Sequence, residues 1–300
     1  MSNKILKLNT GASFPALGLG TWQSKPEEVY DAVLTALKTG YRHIDTAYVY
    51  GNEKEVGKAI RDSGIARSEI FVTTKLWNTF HRPEDVERGL ENSLSNLGLD
   101  YIDLYLMHWP CAFKAGNGYV SRDEDGNVLL DDIDFTETYA AMEKLDKNKV
   151  RAIGVSNFNI AKLEKLAKTQ HTVPAVNQVE LHPLLPQDEL VQYCEEHNII
   201  VTAYSPLGST NSPLFKHEVV TKIAEKYNVS TAQILISWGL KRNYSVIPKS
   251  VTASRIVSNF HTVDLKEEDF KALSKVAKEE KVQRFADPYA FWKIDVFEEH

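Results

Sequence analysis

The chain has 300 residues, 43% of them hydrophobic and 25% charged, with 35 Lys and Arg against 41 Asp and Glu for a net charge of −6. Such a composition is globular and excludes disorder, and the acidic balance argues against a binder of nucleic acid or of membrane surfaces, both of which need basic stripes. Nowhere do about 18 apolar residues run together to span a bilayer, and residues 1–8 lack the apolar stretch of a signal peptide. Cys111 and Cys194 form no C-x-x-C pair, which excludes a disulfide framework or thiolate zinc cluster and leads us to expect a reducing, cytoplasmic setting.

Taken in chain order, residues 5–15 read as a β-hairpin turning at 9–11, a candidate plug for one mouth of a barrel. Short apolar runs rich in Val and Ile follow at 16–19, 43–47, 71–75, 102–108, 151–156, 175–180, 200–205 and 245–248. Their near-continuous apolarity suits strands buried on both faces. Amphipathic stretches alternate with them. Residues 26–39 place Val29, Val33, Ala36 and Leu37 on one face, with Pro26 at the start and Gly40 past the end. Residues 83–97 repeat Val86, Leu90, Leu94 and Leu97 and stop at Gly98, and 135–147, 160–168, 188–197, 231–241 and 266–278 behave similarly. No linker divides the chain, so residues 1–300 read as a single domain. Eight strands alternating with helices predict an α/β fold, a closed (β/α)8 TIM barrel, with a doubly wound open sheet as the alternative. Residues 5–15, the polar stretch 111–134 and the tail 282–300 stand outside the alternation, and Glu298-Glu299-His300 reads as a solvated end.

Titratable residues sit where strands finish: Asp45, Lys75 and His108, with Tyr50 a short loop after Asp45. Alone, each has a plain structural reading as turn former, snorkelling lysine, satisfied histidine or packed tyrosine. Together they would meet at the C-terminal face of a barrel, where such folds carry their chemistry. A buried lysine needs a partner, and Asp45 is the natural one. A phenol titrates near 10, and an adjacent ammonium favours phenolate, so Lys75 is expected to lower Tyr50 toward a usable acid/base, with His108 orienting a substrate oxygen.

At these residues the sequence resembles the aldo-keto reductases. Gly40-Tyr41-Arg42-His43-Ile44-Asp45-Thr46-Ala47 through Tyr50-Gly51-Asn52-Glu53 to Val56-Gly57 looks like the family's first signature. Leu97-Gly98-Leu99-Asp100-Tyr101-Ile102-Asp103-Leu104-Tyr105 through His108-Trp109-Pro110 looks like its second, and Val246-Ile247-Pro248-Lys249-Ser250-Val251-Thr252 with Arg255 and Asn259 like its third. The resemblance implies a monomeric, NADPH-using barrel that reversibly reduces an aldehyde or ketone to an alcohol. In it Tyr50 donates the proton, Lys75 held by Asp45 lowers its pKa, and His108 positions the carbonyl.

The same resemblance implies cofactor contacts. Ser156, Asn157 and Gln178 would bond the nicotinamide carboxamide, and Tyr204 would stack on the ring. Ser205 and Leu207 would open a loop over the pyrophosphate. Lys249, Ser250, Val251, Thr252 and Arg255 would meet the 2′-phosphate and adenosine, with Asn259 reaching the adenine. Cations beside a dianionic phosphate are the reason to expect NADP(H).

Trp22, Trp77, Trp109 and Phe113 beside the motifs, with Phe291 and Trp292 folding in from the tail, are expected to line the substrate pocket. Residues 75–83 and 108–114 look most like fungal glycerol dehydrogenases, glyceraldehyde reductases and aldose (xylose) reductases, which points to a small polar aldehyde such as glyceraldehyde, or else a pentose. Gly18-Leu19-Gly20 is no dinucleotide fingerprint, lacking the third glycine and the helix, and no histidines stand at metal spacing. A regulatory or structural protein on this fold, and a metal-dependent hydrolase, are the rival readings.

Overall fold

The structure, a computed structural model, describes residues 3–116 and 118–300. It opens with strands β1 (Ile5–Lys7) and β2 (Ser13–Pro15), an antiparallel hairpin pairing Leu6 with Phe14. Eight parallel strands follow in spatial order of sequence: β3 (Leu19–Gly20), β4 (His43–Asp45), β5 (Phe71–Leu76), β6 (Leu104–Met107), β7 (Ile153–Ser156), β8 (Val176–Glu180), β9 (Ile200–Tyr204) and β10 (Ser245–Val246). Main-chain bonds then close the ring. The Gly18 N–H donates to the Val246 carbonyl at 3.0 Å, Val246 N–H to Ala16 at 2.7 Å, and Gly20 N–H to Pro248 at 3.1 Å. The fold is the expected (β/α)8 barrel rather than an open sheet.

Side chains two apart share a strand face, which stacks the barrel interior in layers. At its base Phe14 of the hairpin packs on His43 (ring centroids 4.9 Å apart) and Phe71 (4.8 Å). His43 Nε2 meets Thr73 Oγ1 at 3.1 Å one layer up. The next residues on these two strands are Asp45 and Lys75. Phe14 has no exposed surface, so the hairpin plugs the N-terminal mouth and the polar layer faces the other.

Helices cover the outside where the pattern places them, with local differences. Helix α1 (Pro26–Thr39) ends at Gly40, whose φ of +126° only glycine adopts readily. Helix α2 (Glu53–Asp62) is absent from the sequence reading, because its few apolar residues are interrupted by Gly57. That glycine is needed for packing: a Cβ there would lie 1.8 Å from the Leu97 carbonyl oxygen, at the end of α3 (Val86–Leu97). Helix α4 (Phe135–Met142) stops five residues before 147, since Lys144 and Leu145 donate back only three residues and Asp146 starts a turn. Helices α5 (Ile160–Ala167) and α6 (Asp188–Glu196) follow the pattern. Helix α7 (Glu218–Tyr227), absent from the sequence reading, is capped by His217, whose side chain accepts from the Val219 N–H. Helix α8 (Thr231–Lys241) fits, α9 (Ala253–Phe260) buries little beyond Ile256 and Asn259, α10 (Glu267–Glu279) fits, and α11 (Tyr289–Trp292) is one turn in the tail. None of these helices is long and apolar enough to cross a membrane.

Candidate active site

Asp45 ends β4 and Lys75 is the fifth residue of β5, so both point into the barrel near its C-terminal mouth. Lys75 Nζ donates to Asp45 Oδ1 at 2.6 Å and to the Thr46 carbonyl at 2.8 Å, and both side chains are almost wholly buried. Tyr50, in a short 3-10 turn at Tyr48–Tyr50, brings its hydroxyl to 3.5 Å from the same ammonium. It keeps part of its surface open to the mouth. His108, just past β6, meets the Tyr50 ring edge-on with centroids 5.8 Å apart. The four residues, from the ends of three strands (β4, β5 and β6), converge in one place.

Burial dominates the electrostatics. It pulls the Lys75 ammonium below its ordinary 10.5, opposed by Asp45, and an unpaired lysine here would be untenable. Burial, then the Lys75 charge, holds His108 well below 6.5, so the imidazole is neutral at neutral pH and offers one N–H. For Tyr50 the direction is opposite to the sequence expectation. Burial, supported by Asp45, pushes the phenol well above 10. The physical reason is that Asp45 already neutralises Lys75 at 2.6 Å, while the phenol stands at the limit of hydrogen-bond reach. Tyr50 is therefore held as a proton-loaded phenol.

Aromatic rings wall the mouth. Trp77 lies edge-on to His108 (5.3 Å), and its indole N–H fixes the long 111–134 loop by donating to the Tyr119 carbonyl at 2.6 Å. Trp292 packs on Phe113 (5.0 Å), Trp109 (5.2 Å) and Trp77 (6.0 Å). Trp22 stands on the rim, 45% exposed, and Phe291 does not fold in: it is 66% exposed, because adjacent residues of a helical turn point apart. The chain end is not free either, since Glu298 pairs with Lys162 and Glu299 with Arg284. Burial pushes the thiols of Cys111 and Cys194 up to about 12, so neither is a thiolate nucleophile at neutral pH.

Residues 16–278 match the family model described as the Aldo/keto reductase family. This chain belongs to the aldo/keto reductase family. Among this reductase's relatives, the glycerol 2-dehydrogenase (NADP(+)) of Saccharomyces cerevisiae is 50% identical over 300 residues, covering 96% of this chain and 95% of the relative. The D/L-glyceraldehyde reductase of Hypocrea jecorina is 44% identical, covering 99% and 95%. The solved aldose reductase from Schistosoma japonicum superposes with a TM-score of 0.93 at 40% identity, covering 99% of both chains.

The reductase's remaining sequence-predicted residues follow β7 to β10 around the same mouth. Ser156 ends β7, and Asn157 just after it, at φ +64°, donates its amide to the His108 carbonyl (2.9 Å) and accepts the Tyr204 hydroxyl (2.7 Å). Gln178 donates to Asp45 Oδ2 at 2.7 Å, a bond that braces the carboxylate from the side away from Lys75 and that sequence reasoning did not see. After β9, Ser205 and Leu207 enter a turn closed by Gly208 N–H donating to the Ser205 carbonyl at 2.8 Å. After β10, Lys249 and Arg255 are exposed, and Ser250, Val251 and Thr252 lead into α9. Among the described residues neither cation is paired with a carboxylate; Lys249 reaches only the Gln23 carbonyl at 3.5 Å. Two such cations beside a helix N-terminus suit a phosphate. Asn259 is buried on α9. Among the described residues no three His, Cys, Asp or Glu side chains form a metal site.

Proposed function

We propose that this aldo-keto reductase interconverts small aldehydes or ketones and their alcohols with NADP(H), glyceraldehyde and glycerol being the best-fitting substrate pair. The observation that carries the reading is the Lys75 ammonium, fixed at 2.6 Å by Asp45 and 2.8 Å by the Thr46 carbonyl, standing 3.5 Å from the Tyr50 hydroxyl beneath an aromatic mouth. When bound, NADP(H) supplies the hydride for reduction or takes it up for oxidation. Negative charge grows on the carbonyl oxygen in the transition state, and donors already aimed at it lower the barrier most. Tyr50, kept protonated, gives that oxygen its proton, and neutral His108 offers a second N–H. Lys75 acts through the phenol, holding positive charge where phenolate forms.

Support for the coenzyme comes from Lys249 and Arg255, whose charges suit a 2′-phosphate, and from the yeast relative named for NADP(+). Names of relatives also support the small polar substrate. A panel of glyceraldehyde, glycerol, pentoses and aromatic aldehydes, run with NADPH and NADH, tests the reading. Glyceraldehyde is expected to be reduced with NADPH strongly preferred, and Arg255→Ala to erode that preference by roughly 10- to 100-fold in kcat/KM through loss of a charged hydrogen bond. No carbonyl-dependent oxidation of either coenzyme would overturn it.

A further inference from the structure

We propose that Glu180 is a latch, a positioning residue that sets substrate selectivity by holding the C-terminal tail so that Trp292 completes the wall over the mouth; this rests on the carbonyl-reductase reading. Glu180 is the last residue of β8 and has no exposed surface. A carboxylate taken wholly out of water must be met by donors. Here two come from the tail, more than a hundred residues away: the Phe285 N–H donates to Oε1 and the Ala286 N–H to Oε2, both at 2.8 Å. The third is His182 Nε2, 2.8 Å from Oε1, whose ring packs on Phe285 with centroids 5.2 Å apart.

Adjacent contacts extend the latch without replacing it. Gln283 N–H donates to the Leu184 carbonyl at 3.0 Å, so the tail is joined to the segment leaving β8. Arg284 lies over Phe297 at 3.7 Å, and Phe297 packs on Trp109. Of the tail's other ion pairs among the described residues, Arg284 with Glu299 and His300 with Asp287 join tail residues to each other. Lys162 with Glu298, which does reach the barrel, has an exposed carboxylate, where pairs hold weakly. The buried carboxylate is thus the firm attachment, and the strand bonds of the barrel do not use it. Glu180 also lies on the face of β8 that carries Gln178, two residues earlier, and its charge reaches the Tyr204 phenol. The same strand therefore braces Asp45 at one residue and anchors the tail at the next on that face.

Glu180→Gln keeps the shape but sets an amide NH2 against a backbone N–H, and Ala286→Pro deletes one donor from the tail side without touching the barrel. In the full-length protein, both are expected to speed amide hydrogen exchange in the tail around 285–286. Both should raise KM for benzaldehyde roughly tenfold, about the worth of a lost aromatic contact. KM for glyceraldehyde should rise less, with kcat and NADPH affinity unchanged. Combining Glu180→Gln with Trp292→Ala should add nothing to the KM of Trp292→Ala alone. A tail still protected in Glu180→Gln, additive effects in the double variant, or kcat and melting temperature falling together without a KM change would overturn the proposal. The exchange measurement decides the latch even if no carbonyl is reduced, which would fault the reaction reading instead.

Discussion

Tyr50→Phe is expected to lower kcat for reduction by roughly 10²- to 10⁴-fold, the usual worth of a positioned general acid, while NADPH still binds as tightly. The separation follows from the geometry. The hydroxyl's one hydrogen-bond contact among the described residues is Lys75 at 3.5 Å, so its removal leaves no strong bond broken and no buried group newly orphaned. The ring that packs against His108 stays in place. Thermal melting should hardly move, and coenzyme titration by fluorescence should overlay the wild type. Turnover near the wild-type level would remove Tyr50 from the chemistry.

Lys75→Met is expected to hurt in two separable ways. Asp45 would be left as a buried carboxylate without its cation, keeping only the Gln178 amide at 2.7 Å, and breaking such a pair typically costs about 3–5 kcal/mol. Turnover should fall by roughly 10²- to 10³-fold as well, the scale of losing one preorganised electrostatic partner. Adding Asp45→Asn removes the stranded charge. The Lys75→Met/Asp45→Asn variant should therefore regain much of the stability in urea unfolding and none of the rate. Recovery of activity along with stability would mean that Lys75 serves the fold alone.

What the sequence made legible followed from local rules. Strands buried on both faces stand out as apolar runs, and a charged residue ending such a run, as Asp45 and Lys75 do, stands out further. The hairpin plug could be read from the turn residues at 9–11. Burial and long-range pairing left no such trace. The direction in which Tyr50 titrates is set by its burial and then by the Asp45 charge, and only the folded chain shows either. Glu180 looked like one more strand residue because its donors lie at Phe285 and Ala286, far along the chain. The bond from the Gln178 amide to Asp45 pairs residues more than a hundred apart, so it left no sequence signal. Helix α2 was hidden by a glycine required for contact with Leu97, so a packing demand overrode the periodic signal.

The pH dependence of kcat/KM, measured in both directions on the wild type and on Tyr50→Phe, tests the proton-loaded phenol most directly. A phenol raised above its ordinary value is protonated below that value, so reduction should stay level through neutral pH and be lost only as pH rises through the alkaline range. Oxidation needs the phenolate and should climb over the same range. His108, held well below 6.5, should add no step near neutrality. Reduction that falls through about pH 7, with a step absent from Tyr50→Phe, would show a phenol acidified by Lys75 and contradict the account.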